Sequence, residues 1–317
     1  MNKVLLILCF LTPFSWGNTV EENYPSINIL AQKGDFSTGI IDFAEKILKV
    51  NIKVTFESNE NEMHDRLLKS DGYGYDIIYE SGINLKNLEW QGWIDSVPEM
   101  LKDGRIKVWK AGLYGIMKRT SMPNISWAQA FMLCEGLKGR IKITNNGLVN
   151  TVLASGKYEP TESDMVKVRD NVFNTCRFRL PSSSKSKDIR NLYNNKIIYS
   201  LTDNEEAKKS SSLHKEFRFY IPKGKRYGWS KNWVILGHSR DVELCRSFIA
   251  FMSSARVLRF ESTLKYSSIP GLIYEKNDLL GISNSYRPEM QIQPVNLTDR
   301  VLIRKIQAKI IGNSIDN

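Results

Sequence analysis

The chain has 317 residues, of which 42% are hydrophobic and 10% are aromatic, and its formal net charge is +11. This composition suffices for real hydrophobic cores, and the length favours two lobes over one. The basic balance favours anionic partners or reflects only an alkaline solvated surface, but no arginine-rich block interleaved with aromatic residues is present, which argues against nucleic acid as a partner.

The N-terminus has the pattern of a cleaved secretory signal peptide. Lys3 gives a positive start, residues 4–14 are almost all apolar, and the small residues Ser15 and Gly17 precede a cut at Asn18. The apolar run is too short to span a membrane, and no later segment reaches about 20 apolar residues. We therefore predict a signal peptide at residues 1–17 and an exported, periplasmic protein.

Cysteine and histidine are sparse. Cys134, Cys176 and Cys245 remain after the predicted cleavage, which permits one disulfide and leaves one thiol, with Cys134–Cys176 as the favoured pair. The three histidines lack metal-ligand spacing. With no Gly-x-Ser-x-Gly motif and no Cys/His arrangement either, we expect no metal, no cofactor and no enzymatic activity.

The first predicted elements alternate between strand and helix. Strands are expected at 27–30, 52–56 and 75–79, with a helix beginning at Ser37 or Thr38 and another after Asn59, which forms a capping box with Glu62. This βαβαβ order predicts a parallel sheet, whose ligands lie at the carboxyl ends of the strands. The loops after the first and third strands would then present Gln32, Lys33, Glu80, Ser81 and Asn84.

A strand at 106–118 is expected to run between the lobes, and a second α/β unit follows it. Its predicted helices begin after Ser126 and cover 148–154 and 162–173, and its predicted strands lie at 140–144, 196–201 and 216–221. Beyond it we expect a strand at 234–235, an amphipathic helix at 242–252 and a basic amphipathic helix in the tail, 292–311.

Several segments of the sequence resemble one protein family. The segments 52–79, 109–116, 126–141, 222–235 and 248–270 are similar to the spermidine/putrescine-type periplasmic binding proteins, a branch of the solute receptors of ABC importers. The resemblance covers about residues 27–275. It implies an α/β fold of type II-like, two-lobed architecture, in which each lobe has a mixed or parallel sheet flanked by helices and the solute lies in the cleft between lobes.

The resemblance also implies an organisation and partners. Lobe 1 would comprise residues 18–116 and 229–270, and lobe 2 would comprise residues 117–228 and 271–317. The expected partners are a small-molecule solute and an inner-membrane ABC permease, and the protein is expected to be monomeric.

The positions matching the family's ligand site differ from its usual pattern of aromatic and acidic residues. Gln32 stands where the family has a Trp, Asn145 and Asn146 occupy the acidic segment of lobe 2, and Lys231 stands where the family has an Asp. Trp229 matches a clamping aromatic. Since a buried ammonium needs a carboxylate partner, we predict a small polar, anionic or zwitterionic solute. The predicted ligand-binding residues are Trp229, Lys231, Gln32, Ser81, Asn145, Asn146, Asp203 and Trp109.

Each of these residues also has a purely structural interpretation. Trp229 is a pocket wall or a core aromatic, and Lys231 is a solute contact or a solvated lysine. Trp109 is a ligand contact or a packing residue at the hinge, and the segment Asn145–Asn146 is a hydrogen-bond donor to solute or an ordinary turn. Two other functions stay open: a binding-protein fold with a decayed pocket that acts as a sensor or scaffold, and a true polyamine binder.

Overall fold

The computed structural model describes residues 24–144, 146–181, 194, 196–207, 216–265 and 297–314. The predicted signal peptide and Asn145 lie outside these ranges. Eight strands form one sheet: β1 (Ser26–Gln32), β2 (Asn51–Glu57), β3 (Ile77–Ser81), β4 (Ile106–Arg119), β5 (Ile141–Lys142), β6 (Tyr199–Asp203), β7 (Phe217–Tyr220) and β8 (Gly228–Ile235).

Helices flank this sheet. They are α1 (Thr38–Leu48), α2 (Glu60–Ser70), α3 (Leu85–Trp90), α4 (Val97–Lys102), α5 (Trp127–Met132), α6 (Gly147–Ser155), α7 (Glu162–Val168), α8 (Val242–Met252), α9 (Ala255–Lys265) and α10 (Leu297–Gly312). A single 3₁₀ turn, Gly82–Asn84, follows β3, and a π-helical turn, Arg169–Phe173, extends α7. In the part of the chain that the structure describes, no helix is long and apolar enough to cross a membrane.

The strand order is β2-β1-β3-β8-β4-β6-β5, and β7 also pairs with β4. The first three strands are mutually parallel, as the βαβαβ pattern predicts. β8 is antiparallel to both β3 and β4. The strand predicted at 234–235 therefore begins earlier, at Gly228, and this places Trp229 and Lys231 inside the sheet.

β4 joins two halves of the sheet. The first half contains β1, β2, β3 and β8, and the second half contains β5, β6 and β7. The first part of β4, up to Leu113, pairs with β8, whereas Tyr114 to Arg119 pair with β6 and β7. The strand predicted at 106–118 is therefore present and belongs to both halves of the sheet. The residue boundaries of the lobes given above stay a prediction.

Each half has cores on both faces of its sheet. In the first half, one face carries an aromatic-rich core under α1 and α8, and the other face carries a core under α2, α3 and α4. The second half has a large core under α5, α6 and α7 and a smaller one on its opposite face. Ile306 and Ile310 of α10 belong to the large core, so the basic tail helix packs on the second half.

Local signals agree with the predicted helix starts. Asn59 accepts a hydrogen bond from the Glu62 backbone N–H, and Ser126 forms a capping box with Gln129. Cys134 and Cys176 form the favoured disulfide, with their Cα atoms 5.4 Å apart. Cys245 is a buried free thiol.

Candidate functional site

A row of polar side chains crosses the sheet near the carboxyl end of β3. Ser81, Lys231 and Lys110 are Cα partners on β3, β8 and β4. Directly paired residues on adjacent strands share a face of the sheet, and here it is the face that carries the aromatic-rich core. The aromatic-rich core thus ends at a row of two lysines and a serine.

Lys231 forms an ion pair with Glu60, the first residue of α2. The Lys231 Nζ lies 2.9 Å from Glu60 Oε1, and the Ser81 hydroxyl donates to the same oxygen. Asn84 donates to Glu60 Oε2 at 3.3 Å. The pair is not sealed off, because the Lys231 and Glu60 side chains are 17% and 27% exposed. Both charged groups therefore keep partial contact with solvent.

The ion pair stays charged over the whole ordinary pH range. Burial raises the pKa of Glu60, but the Lys231 ammonium and the Ser81 hydroxyl outweigh burial and lower that pKa to about 2. Burial likewise lowers the pKa of Lys231, but the nearby carboxylates, Glu60 first, outweigh it and raise that pKa above its usual range. The position of Glu60 at the start of a helix also favours the carboxylate form.

Glu80 supports this arrangement from the opposite face. It is fully buried and accepts hydrogen bonds from the Ser81 backbone N–H at 2.7 Å and from Asn84 Nδ2 at 2.9 Å. His64 Nε2 lies 3.3 Å from its second oxygen. Glu80 therefore fixes the loop after β3, and with it Ser81 and Asn84.

A second cation lies on the neighbouring strand. Lys110 Nζ donates to the Asp35 carbonyl oxygen at 2.8 Å and lies 3.9 Å from Glu205 Oε1 and 3.8 Å from Glu261 Oε2. It also sits 4.9 Å from the centroid of the Trp109 ring. Lys110 is almost completely buried, so these groups replace its water shell.

Asp35 interacts with both lysines. Its carboxylate accepts the Gln32 backbone N–H at 2.9 Å. Burial raises the pKa of Asp35, and the Lys231 and Lys110 ammonium groups oppose that rise only in part. Because both lysines act on this one carboxyl, the loop after β1 belongs to the same charged site.

The second half of the molecule reaches the site through β4 and β6. Tyr114 and Asp203 are Cα partners there. Burial raises the pKa of the Tyr114 hydroxyl, and the charges of Asp203 and Glu60 raise it further while Lys231 opposes them. Charges from both halves therefore act on this single hydroxyl.

Trp229 is held by a residue of the second half. Its indole N–H donates to Asn204 Oδ1 at 3.0 Å, and the same oxygen accepts the Leu113 backbone N–H at 3.0 Å. Gly112 permits this approach, because a Cβ at that position would overlap the Asn204 side chain. Trp229 is thus a buried aromatic residue two positions before Lys231 on β8.

The structure brings five of the predicted site residues to this place: Ser81, Lys231, Gln32, Asp203 and Trp229. Gln32 ends β1, and its side chain donates to the Ser58 carbonyl oxygen at 3.3 Å. Asp203 ends β6 and accepts the Glu206 backbone N–H at 2.8 Å.

Two further predicted residues, Trp109 and Asn146, make structural contacts. Trp109 is 1% exposed and donates to the Met252 carbonyl oxygen at 2.8 Å, which agrees with the packing role. Asn146 caps α6 by accepting the Val149 backbone N–H at 3.1 Å, which agrees with ordinary turn chemistry. Asn145 lies outside the described residues. The binding roles of Trp109, Asn145 and Asn146 stay predictions.

The position-by-position comparison missed several charged groups and one tyrosine: Glu60, Asp35, Lys110, Glu205 and Tyr114. Lys231 pairs with Glu60, a partner that the comparison with the family does not predict. A signal for Glu60 existed, since it follows the carboxyl end of β2 and parallel strands bring these ends together. Within the described residues, no group of His, Cys, Asp and Glu is arranged to hold a metal ion.

Comparison with known proteins shows the fold. No protein-family model and no curated protein sequence matches this chain. Among solved structures, a putative spermidine/putrescine ABC transporter protein from Listeria monocytogenes is similar at a TM-score of 0.69, with 15% identity over 91% of this chain and 98% of that chain. The PotD substrate-binding protein of a spermidine/putrescine ABC transporter from Streptococcus pneumoniae has a TM-score of 0.67, with 12% identity over 91% and 98%.

A third neighbour was solved with a different ligand. The iron-bound HitA structure from Pseudomonas aeruginosa has a TM-score of 0.63, with 12% identity over 91% of this chain and 99% of that chain. These likenesses identify the fold as the two-lobed, type II-like fold of substrate-binding proteins, with a mixed sheet flanked by helices. At such identities they establish the fold alone, and neighbours that share it bind chemically different solutes.

Proposed function

We propose that this chain is an exported solute-binding receptor that works with an inner-membrane ABC permease and performs no catalysis. The observation that carries the proposal is the Lys231–Glu60 ion pair, which stays partly exposed where charges from both halves of the molecule converge. The coverage of more than nine-tenths of both chains in the structural comparisons supports the same function.

The solute class follows from the charges around Lys231. A ligand carboxylate can accept from the Lys231 ammonium, while a ligand ammonium can face Asp35 or Asp203. A dianion would meet Glu60, Asp35 and Asp203 without enough cations to balance it. We therefore propose a small zwitterionic solute of the amino-acid type, within the polar, anionic or zwitterionic class expected from the sequence.

The proposal is tested by isothermal titration of the mature protein with amino acids, dicarboxylates, putrescine and spermidine. We expect an amino acid or a related zwitterion to bind with a dissociation constant in the micromolar range or better. Lys231→Asp should weaken that binding at least tenfold, because it removes the ammonium group that donates to the carboxylate of the ligand. Micromolar putrescine binding by the wild type would contradict the proposal.

A true polyamine binder is the second candidate, and one observation favours it. Glu60, Asp35, Asp203 and Glu205 supply carboxylates that a polyamine requires. Lys231 and Lys110 already neutralise part of this charge, which is why we rank this function second. The same titration separates the two candidates. A chain that binds none of these solutes would instead favour the sensor or scaffold function.

A further inference from the structure

We propose that Lys110 and Lys231 are tethered cations: their ammonium groups fill two ammonium-binding positions and so exclude alkylammonium and diamine solutes that carry no carboxylate. This inference rests on the proposed function, because it names the residues that determine which solutes are rejected. The inference explains why the site does not bind such amines, whereas the titration above identifies the solute that it binds.

The first position is that of the Lys231 ammonium. It has a carboxylate partner in Glu60 at 2.9 Å and an aromatic face, with the Tyr79 ring centroid at 6.0 Å. A carboxylate and an aromatic face are the two groups that stabilise a primary ammonium when it leaves water. An external alkylammonium would need the same groups, and Lys231 already occupies them.

The second position is that of the Lys110 ammonium, and it has the same composition. A carbonyl oxygen of Asp35, two carboxylates and the face of Trp109 surround the Nζ atom. The two lysines are Cα partners on adjacent strands, so their chains start about 5 Å apart. The Asp35 carbonyl oxygen accepts from Lys110, and the charges of both lysines act on the Asp35 carboxyl group. Together the two lysines present two linked ammonium groups over aromatic rings.

An independent observation shows that this place has further hydrogen-bonding capacity. The Tyr79 hydroxyl is fully buried, and it has no hydrogen-bond partner among the residues that the structure describes. The charges of Asp35, Glu205 and Glu261 act on it, so it lies within the same cluster. Removing a lysine side chain would leave a space with acidic and aromatic walls and an available hydroxyl.

The test is chemical rescue by an added amine. The variants are Lys231→Ala, Lys110→Ala and the double variant, and the probes are n-butylammonium and 1,4-diaminobutane. Binding is followed by titration calorimetry and by the rise in melting temperature. We expect n-butylammonium to bind Lys231→Ala at least tenfold more tightly than it binds the wild type. We expect 1,4-diaminobutane to prefer the double variant.

Two controls make the result specific. Adding Glu60→Gln to Lys231→Ala should abolish the gain, because the ammonium then lacks its carboxylate. Lys157→Ala removes a different paired lysine, which lies 2.7 Å from Asp164 at an exposed place, and it should gain nothing. A variant that is unstable alone is still informative, since the amine should raise its melting temperature.

Three results would overturn the inference. The first is an equal amine affinity of the wild type and Lys231→Ala, the second is a gain that survives Glu60→Gln, and the third is a similar gain for the control Lys157→Ala. These outcomes are separable from failure of the proposed function. A wild type that binds no zwitterion, with amine rescue intact, rejects only the receptor function. A wild type that binds a zwitterion, without rescue, rejects only the tethered cations.

Discussion

At the scale of single residues, each charged side chain of the site depends on an oppositely charged neighbour. Lys231 looks like a reversal of charge when read in sequence, but Glu60, 171 positions away, pairs with it. The sequence predicts Lys231 and Ser81 as site residues because both follow from strand ends and family position. It could not assign Glu60 as their partner, because that contact depends on how α2 is placed over the sheet.

The Glu60 carboxyl gives a pH-dependent contribution to stability. Its pKa is lowered from 4.5 to about 2 in the folded chain, so the stabilisation is present above pH 4.5 and is lost as the pH falls towards 2. At pH 7 we expect Glu60→Gln to lower the free energy of unfolding by up to about 3 kcal/mol. Urea denaturation at pH 7, 4 and 3 should show this difference shrinking as the pH falls.

The matched control for this measurement is Glu159→Gln, at an exposed position. It should change the free energy of unfolding by less than about 0.5 kcal/mol at every pH. A Glu60→Gln effect that is constant from pH 7 to pH 3 would show that the ionised carboxyl is not its source.

Gly112 and Asn204 form a pair that can be tested by a double-mutant cycle. Gly112→Ala places a methyl group against the Asn204 amide and displaces the acceptor of two buried N–H groups. We expect a loss of about 1–3 kcal/mol for Gly112→Ala. In an Asn204→Ala background the added methyl group should cost much less, and strictly additive losses in thermal denaturation would contradict this contact.

At the scale of elements, the sequence predicts the regular parts well and the irregular parts poorly. The capping residues Asn59 and Ser126 start helices where expected, because a cap is a local interaction. The start of β8 at Gly228 was missed, because Trp229 and Lys231 are held there by pairing with β3 and β4. Those partners lie more than a hundred residues away in sequence, and local periodicity carries no information about them.

The disulfide between the segment after α5 and the segment after the π-helical turn gives the clearest prediction at this scale. It closes a loop between residues 42 positions apart, for which the chain-entropy estimate is about 4 kcal/mol. We expect a reducing agent to lower the melting temperature of the wild type and to leave the Cys134→Ala/Cys176→Ala variant unchanged. Cys245→Ala should retain the full sensitivity, and a loss of sensitivity there would indicate a different pairing.

At the scale of the whole molecule, the fold places the site between two halves that share β4. The alternation of predicted strands and helices and the segments that resemble the family predict this architecture. The structural comparisons agree with it. They do not predict the solute, because ligand choice depends on a few side chains such as Lys231, Asp35 and Tyr114. These positions can change while the buried sheet and its cores remain.

The proposed receptor function implies a measurable closure of the molecule around its solute. A ligand that contacts both halves stabilises the arrangement in which they approach each other. We therefore expect small-angle X-ray scattering to show a smaller radius of gyration with the bound solute than without it. Lys231→Asp should need a higher solute concentration for the same change, and Lys157→Ala should not.

The most direct measurement is a crystal structure of the protein purified without refolding, with any co-purified solute identified by mass spectrometry. We expect a small zwitterion whose carboxylate lies within about 3.2 Å of Lys231 Nζ and which also contacts Tyr114 or Asp203. A solute bound away from the row Ser81, Lys231 and Lys110, with the Lys231–Glu60 pair untouched, would contradict this expectation.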